Sequence, residues 1–235
     1  MKNVVFGLAL LWLATSTQAA TVFSTDFESG VPSQLAPGTA LITGVQGYAG
    51  LGVPGNQFGG SFLRSSTGNT VSLSLSGLPS HTSISLDFLF AAIDSLDGTG
   101  TFPAGDFFNV TLDGNQIFRE SFANATPTQI QSYHSPVGVE LARHLNLGFQ
   151  GPNGFFTDSA YYLGADPIFQ NIAHTSSSAL ITFVIEGGGI QSLTDESWAM
   201  DNLKVSVAPV PIPAASLLFL SGLGLLGRFT RQSKR

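Results

Sequence analysis

Apolar and polar positions alternate along most of the chain between residues 20 and 208, and that period of two dictates what the chain can build. The segments "TVFSTDF" (21–27), "VSLSLSGL" (71–78), "SISLDFLF" (83–90), "FFNVTL" (107–112), "NQIFRESF" (115–122), "ALITFVIE" (179–186) and "WAMDNLKVSV" (198–207) place apolar or aromatic residues at alternate positions. Successive side chains of a strand point to opposite faces, so the pattern predicts strands with one buried face. Gly, Pro, Ser and Asn separate these segments, and Asp113-Gly114 supplies a tight hairpin turn that pairs "NVTL" with "QIF". Strands this short and this numerous predict an all-β fold, a jelly-roll or related β-sandwich. Only "GVELARHLNL" (138–147) has a spacing that suggests a helix, and no internal repeat is present.

The two ends follow other patterns. The chain opens "MKNVVFGLALLWLATSTQAA": a basic start at Lys2, an apolar run from Val4 to Ala14, and small residues ending at Thr17-Gln18-Ala19. This is the pattern of a secretory signal peptide, cut after Ala19, and its apolar run falls short of the ~20 residues of a membrane span. The chain closes "APVPIPAASLLFLSGLGLLGRFTRQSKR" (208–235). Pro209, Pro211 and Pro213 hold the backbone extended, the form in which a protease binds a substrate. The uncharged stretch from Ala214 to Gly227, widened to Pro213 and Phe229, is long enough for a short transmembrane helix. Arg228, Arg231, Lys234 and Arg235 would stay on the cytoplasmic side, which puts the large domain across the membrane, in agreement with the signal peptide.

The proline motif, apolar helix and basic end occur in that order, and together they resemble the PEP-CTERM sorting signal of exopolysaccharide-producing Gram-negative bacteria. The match is to its Val-Pro-Leu-Pro-Ala-Ala variant, through Val210, Pro211, Ile212, Pro213 and Ala214. It covers residues 209–235 only, and it departs from the Pro-Glu-Pro of the family name, since Ile212 stands between the prolines. The resemblance implies an exosortase substrate: an intermediate anchored in the inner membrane, then a cut near the proline motif by a membrane enzyme with a cysteine nucleophile. Delivery to the cell surface or the extracellular matrix follows, with exopolysaccharide as a partner. A permanent anchor that nothing cuts is the alternative. The organisation is thus a signal peptide (1–19), a β-sandwich ectodomain (20–208) and a sorting segment (209–235).

Composition narrows the ectodomain. With 235 residues, 43% hydrophobic, 10% charged and 27 glycines, the chain fits one globular domain plus appendages. It has no cysteine and therefore no disulfide framework. Between the two ends only Arg64, Arg119, Arg143 and Lys204 face all fifteen acids, a formal charge of −11 against −6 for the whole chain. Such a balance argues against nucleic acid as a partner and favours a cation.

Strand parity suggests where a cation would sit. Asp26 and Glu28 share a face of the first strand opposite Phe23 and Phe27, while Asp201 in the last strand alternates onto the face of Leu203, Val205 and Val207. An inward carboxylate is costly unless it is paired or bound to metal. If the first and last strands are neighbours, Asp26, Glu28, Asp195 and Asp201 converge on one calcium site, with further oxygens from Asp94, Asp97 or Asp106. The spacing is not that of an EF-hand loop.

The opening "DFESG", the closing "DESWAMDNLKVSV" and the intervening "AHTSSSALITFVIEGGG" resemble secreted bacterial jelly-roll domains of the carbohydrate-binding-module type. In those domains calcium near the termini is structural. Sugar binding would need exposed rings, and Tyr133, Tyr161 and Tyr162, with Phe155 and Phe156, are the candidates; packing as a satellite core is their other reading. Catalytic signatures are missing: no Gly-x-Ser-x-Gly, no His-Glu-x-x-His and no cysteine, with His81, His134, His144 and His174 scattered along the chain. The reading is a noncatalytic exported surface or matrix protein. A calcium-dependent carbohydrate-binding adhesin, or a secreted glycan-active enzyme built on two carboxylates, are the alternatives.

Overall fold

A computed structural model of the chain describes residues 18–99, 105–126, 128–150 and 156–210. The signal peptide up to residue 17, the short transmembrane helix, sorting residues Pro211, Ile212, Pro213 and Ala214, the basic tail and Phe155 lie outside the described residues. Among the described residues there is no α-helix, and no helix is long and apolar enough to cross a membrane. One compact unit runs from Ala19 to Pro209.

In chain order its strands begin with β1 (Ala20–Thr25), β2 (Leu35–Ala36), β3 (Leu41–Gly44), β4 (Gly52–Val53) and β5 (Asn56–Gln57). There follow β6 (Ser61–Ser66), β7 (Val71–Ser76), β8 (His81–Asp94), β9 (Phe107–Leu112) and β10 (Asn115–Ser121). The last five are β11 (Glu140–Leu145), β12 (Asp158–Tyr161), β13 (Ile172–Ala173), β14 (Ser178–Glu186) and β15 (Glu196–Pro209). An eight-stranded sheet is ordered β11-β12-β8-β15-β6-β3, with β1 added on β15 and β13 on β8; a five-stranded sheet is ordered β10-β9-β14-β7-β2. β4 and β5 form a separate hairpin. The expected turn is present: β9 and β10 pair antiparallel across Asp113 and Gly114, whose φ angles of 50° and 79° suit a two-residue hairpin.

The two sheets face each other across a core rich in phenylalanine. Leu86, Phe88, Phe90, Trp198, Leu203 and Val205 of the larger sheet meet Val71, Leu73, Phe108, Val110, Ile181 and Phe183 of the smaller. Phe108 lies with its ring centre 4.4 Å from that of Phe90 and 5.3 Å from that of Trp198. Each such ring taken from water contributes ~1.5–3 kcal/mol.

A third layer departs from the simple alternation. Tyr48, Phe58, Phe62, Leu147 and Phe149 cover the outer face of the larger sheet and bury Leu89, Ala91, Ile93 and Ala199 beneath them. Tyr48 anchors this layer through its hydroxyl, which donates to the Ala92 carbonyl at 3.1 Å. The centres of β8 and β15 are therefore enclosed on both faces, and the continuous run "DFLFAAI" reflects that double burial.

Two expectations are corrected. Residues 140–145 of the suggested helix form β11, paired with β12, because an open sheet edge supplies partners that outweigh a weak helical spacing. The parity assigned to Asp201 also fails. Asp201 lies opposite Leu89 and Lys204 opposite Asp87, so β15 carries one extra residue in a bulge at Asn202, where φ is +52°. The bulge flips the faces: Leu203, Val205 and Val207 enter the main core, while Asp201 shares the outer face with Ala199 under the third layer.

Candidate functional site

β1 pairs antiparallel with β15, Thr25 opposite Leu203, and this brings the first strand's acids beside the bulge. Asp26 and Glu28 are exposed; the Glu28 amide donates to Asp26 Oδ1 at 3.2 Å, a turn that directs both carboxylates along the strand end. Asp201 is fully buried. Its Oδ2 accepts the Gly59 amide at 2.9 Å and its Oδ1 the Asn202 amide at 2.7 Å. Glu28 Oε1 accepts the amides of Gly60 and of Ser61, the latter at 2.9 Å.

Gly59 is required between the two acids, since a Cβ there would lie 2.4 Å from Glu28 Oε1 and 3.8 Å from Asp201 Oδ2. Burial raises the Asp201 carboxyl to about 6 against the pull of its two amide donors, and the charges of Glu28 and Asp26 push it the same way. Glu28 and the enclosed Asp201 flank Gly59, and the charge of Asp26 reaches Asp201, so the corner is oxygen-rich and electronegative, although these three acids do not bring their oxygens within 4.8 Å of one another.

A polar cleft of about 320 Å³ opens beside this corner, lined among others by Asp26, Asn56, Asp87, Asn202 and Lys204. Asn202 Nδ2 donates to Asn56 Oδ1 at 3.0 Å and to the Gln57 carbonyl at 2.8 Å, and Asn56 Nδ2 donates to Asp87 Oδ1 at 3.2 Å. Lys204 Nζ pairs with Asp87 Oδ2 at 2.7 Å. The bulge thus aims Asn202 at the β4–β5 hairpin and fixes the cleft wall. Tyr162, half-buried, also hydrogen-bonds with Asn56 and Asp87 at this wall; burial raises its hydroxyl above the usual tyrosine range.

The sequence-derived set of four acids divides. Glu28 and Asp201 flank Gly59 and the charge of Asp26 reaches Asp201, whereas Asp195 lies just before the start of β15, about 20 Å from Asp201 at ~3.3 Å per residue. There Ser95 Oγ donates to the Asp195 carbonyl at 2.9 Å and to its Oδ1 at 3.1 Å. Near it, Asp97, Asp106 and Glu196 bring ligand oxygens within 4.8 Å of one another. Asp97 and Asp106 had been considered as further oxygens; Glu196 had not been singled out. Its signal was readable, since it alternates with Trp198 and Met200 in the last strand.

The tyrosine expectations are also corrected. Tyr133 and Tyr161 are buried in the main core, where their hydroxyls donate to Asp166 Oδ2 at 2.9 Å and to Gln131 Oε1 at 3.2 Å. With their rings packed at a tilt against Phe122 and their polar tips satisfied, neither offers a face to a sugar. Tyr162 alone of the three is only half-buried and bonds to Asn56 and Asp87, which line the cleft.

Remote histidines prove to be neighbours. His81 Nδ1 is bonded to the Pro79 carbonyl at 2.6 Å, His81 Nε2 to His174 Nδ1 at 2.7 Å, and His174 Nε2 to Asp113 Oδ2 at 3.0 Å. Both rings are buried, and the chain ends on a carbonyl rather than a nucleophile, so it serves as a strut between β8 and the β9–β10 turn.

No protein-family model matches the chain, and no curated protein is significantly similar to it. The chain is similar, at low identity, to solved structures. The xylan-binding domain CBM22-2 of Paenibacillus barcinonensis Xyn10C is 15% identical with a TM-score of 0.34, over 79% of this chain and 98% of that one. A family GH115 4-O-methyl-α-glucuronidase with specificity for decorated arabinogalactans is 14% identical with a TM-score of 0.33, over 84% of this chain and 19% of that one. The catalytic domain of a GH87 α-1,3-glucanase is 17% identical with a TM-score of 0.32, over 81% of this chain and 28% of that one. The chain spans about a fifth of the glucuronidase and little more than a quarter of the glucanase.

Proposed function

We propose that the protein is a noncatalytic exported protein of the cell surface or extracellular matrix of a Gram-negative bacterium. Its jelly-roll-type sandwich is the delivered cargo, and its last residues are the handle by which an exosortase sorts it. The observation that carries this is the ordered set of proline motif, uncharged apolar stretch and basic end in residues 209–235, with a signal-type segment at the other end. Val210 to Ala214 would be presented extended to the membrane enzyme, and the basic residues would hold the segment in the inner membrane until the cut. Exopolysaccharide is the partner this route implies.

Calcium fits the corner formed by Asp26, Glu28 and Asp201, where it would offset the enclosed carboxylate and tie the first strand to the last. Mass spectrometry of the protein recovered from outside the cell is the test. The expected mass lacks the signal peptide and the residues that follow the proline motif, Phe229–Arg235 among them. A mature extracellular protein that still carries Phe229–Arg235, or unchanged surface delivery after deletion of residues 209–235, would refute the sorting role.

A second reading, a carbohydrate-binding adhesin, is favoured by the cleft beside that corner. Asn56, Asp87 and Asn202 offer directional donors and acceptors of the kind that read sugar hydroxyls, with Tyr162 at the wall. Binding of polysaccharide fragments that is lost in Asp87→Ala, with folding unchanged, would support it; binding unaffected by that change would remove the cleft from consideration.

A further inference from the structure

We propose that Asp97, Asp106 and Glu196 form a second cation site, distinct from the corner at Asp201 and taking a divalent ion of the calcium class. The three carboxylates arrive from separate parts of the chain. Asp97 and Asp106 bracket the connection from β8 to β9, and Glu196 opens β15, opposite Asp94 in the ladder. About 16 Å of extended strand, at ~3.3 Å per residue, separates Glu196 from Asp201, so one ion cannot serve both places.

The feature that marks a ligand is Glu196. Its side chain is fully buried; Oε1 accepts from Gln191 Nε2 at 2.7 Å, while Oε2 is enclosed without any hydrogen-bond partner. A buried, unsatisfied carboxylate oxygen is expensive, and the charges acting on Glu196 are those of Asp106, Asp97 and Asp195, all of its own sign. The surroundings hold the acids in place without neutralising them. The Asp97 amide donates to Asp106 Oδ2, the Asp106 amide to the Asp97 carbonyl at 2.8 Å, and Gln129 Nε2 to Asp97 Oδ1 at 2.6 Å. Amides that orient ligands while leaving their charge intact are the usual outer ring of a metal site.

The donor chemistry selects the ion. Three carboxylates with no imidazole or thiolate favour a hard, oxygen-seeking cation over zinc or copper. Asp106 and Glu196 are buried and Asp97 half-buried, so the ion would sit inside the fold, pinning the β8–β9 connection to the start of the last strand.

The test uses the purified exported protein with calcium alone as the probe. The parent, Glu196→Gln and Asp201→Asn are compared by calorimetric titration and by melting with calcium or with a chelator. Gln keeps the shape of Glu196 and removes its charge, so with chelator Glu196→Gln melts at or above the parent. With calcium the order inverts, because the parent gains an ion the variant cannot hold. A hundredfold excess over the Kd raises the parent's melting temperature through this site by roughly 5–10 °C. Glu196→Gln lowers the stoichiometry by one ion per chain, and Asp201→Asn leaves that ion in place, so the two corners are told apart. If Glu196→Gln binds as many ions as the parent with the same thermal gain, the proposal is overturned. If the parent shows no thermal response to millimolar calcium, a proton shared between Glu196 and Asp106 replaces it.

Discussion

Replacing Gly59 with alanine probes the corner at Asp201 through sterics alone. The new Cβ would stand 2.4 Å from Glu28 Oε1, far inside contact distance, but at an ordinary 3.8 Å from Asp201 Oδ2. The backbone at this position does not need the left-handed region, so strain is not the issue; the Glu28 carboxylate, the end of a flexible side chain, must move. Moving it breaks the bonds it accepts from the Gly60 and Ser61 amides. Each is worth ~0.5–1.5 kcal/mol net, and because Gly60 is exposed, water can replace part of that, which leaves ~1–2 kcal/mol in total. In a domain of this size the melting temperature should fall by roughly 2–8 °C. The assay is thermal unfolding followed by circular dichroism in chelator, repeated in a Glu28→Ala background. With the carboxylate already gone the added methyl meets nothing, so Gly59→Ala should then cost less than about 0.5 kcal/mol. A fall of the same size in both backgrounds would refute the geometry, and so would no fall in either.

Two further outcomes follow from buried groups. Trp198 is fully buried against Phe90 and Phe108, with its Nε1 lacking a hydrogen-bond partner. Trp198→Ala should therefore cost ~3–5 kcal/mol in urea unfolding, whereas Trp198→Phe, which also removes the unsatisfied donor, should cost less than about 1.5 kcal/mol; equal costs would contradict this. In chelator the domain should lose stability as pH rises. Burial lifts Asp106 to about 6 against the hydrogen bonds it makes with the Asp97 amide and with Glu196, and lifts Glu196 to about 8, where the charges of Asp106, Asp97 and Asp195 push the same way. Folded-state values above the unfolded ones mean that the folded protein holds the extra protons. Their contribution is complete below the unfolded carboxylate range and disappears as pH passes through 6 and then 8, a loss on the order of a few kcal/mol. Glu196→Gln should flatten the upper part of that slope, and a melting temperature that climbs from pH 5 to pH 8 would sink the argument.

What the sequence disclosed follows from what a strand shows of itself. All seven alternating segments lie in strands, since burying one face leaves a direct imprint on the residues. "SFLRSS" of β6 shows no period because Phe62 faces the third layer and Leu63 the main core, "DSAY" of β12 is too short to show one, and β11 carries helix-compatible spacing because its pairing comes from an edge. Asp26, Glu28 and Asp201 could be brought together because first and last strands pair. Asp195 could not be kept with them once six residues are measured along an extended strand. The true face of Asp201 depends on a bulge against β8, which only the partner's register reveals. The buried rings of Tyr133 and Tyr161 are of the same kind: nothing local announces that Asp166 and Gln131 wait for their hydroxyls. Gly59-Gly60 was a legible hint of close approach whose object, two carboxylates, was not.

The placement of positive charge leaves both acidic corners without a cationic side chain of their own. Among the described residues, Lys204 pairs with Asp87, Arg119 with Glu186, and Arg143 with Glu140. Arg64 donates to Ser197 Oγ at 2.9 Å and the Leu193 carbonyl at 2.7 Å, lies over the Phe149 ring, and feels Asp94 and Asp158. All four basic side chains of the domain are thus engaged away from Asp201 and from Glu196. The third layer then withholds water from Asp201, and the main-core face of β15 withholds it from Glu196, so the cheapest way of dispersing their charge is lost. What is left to neutralise them is a proton or a cation from solution. A cysteine-free domain has no disulfide to hold its ends, so ions bound at the start of β15 and at its bulge would do that work. Its stability becomes a property of the medium as much as of the chain.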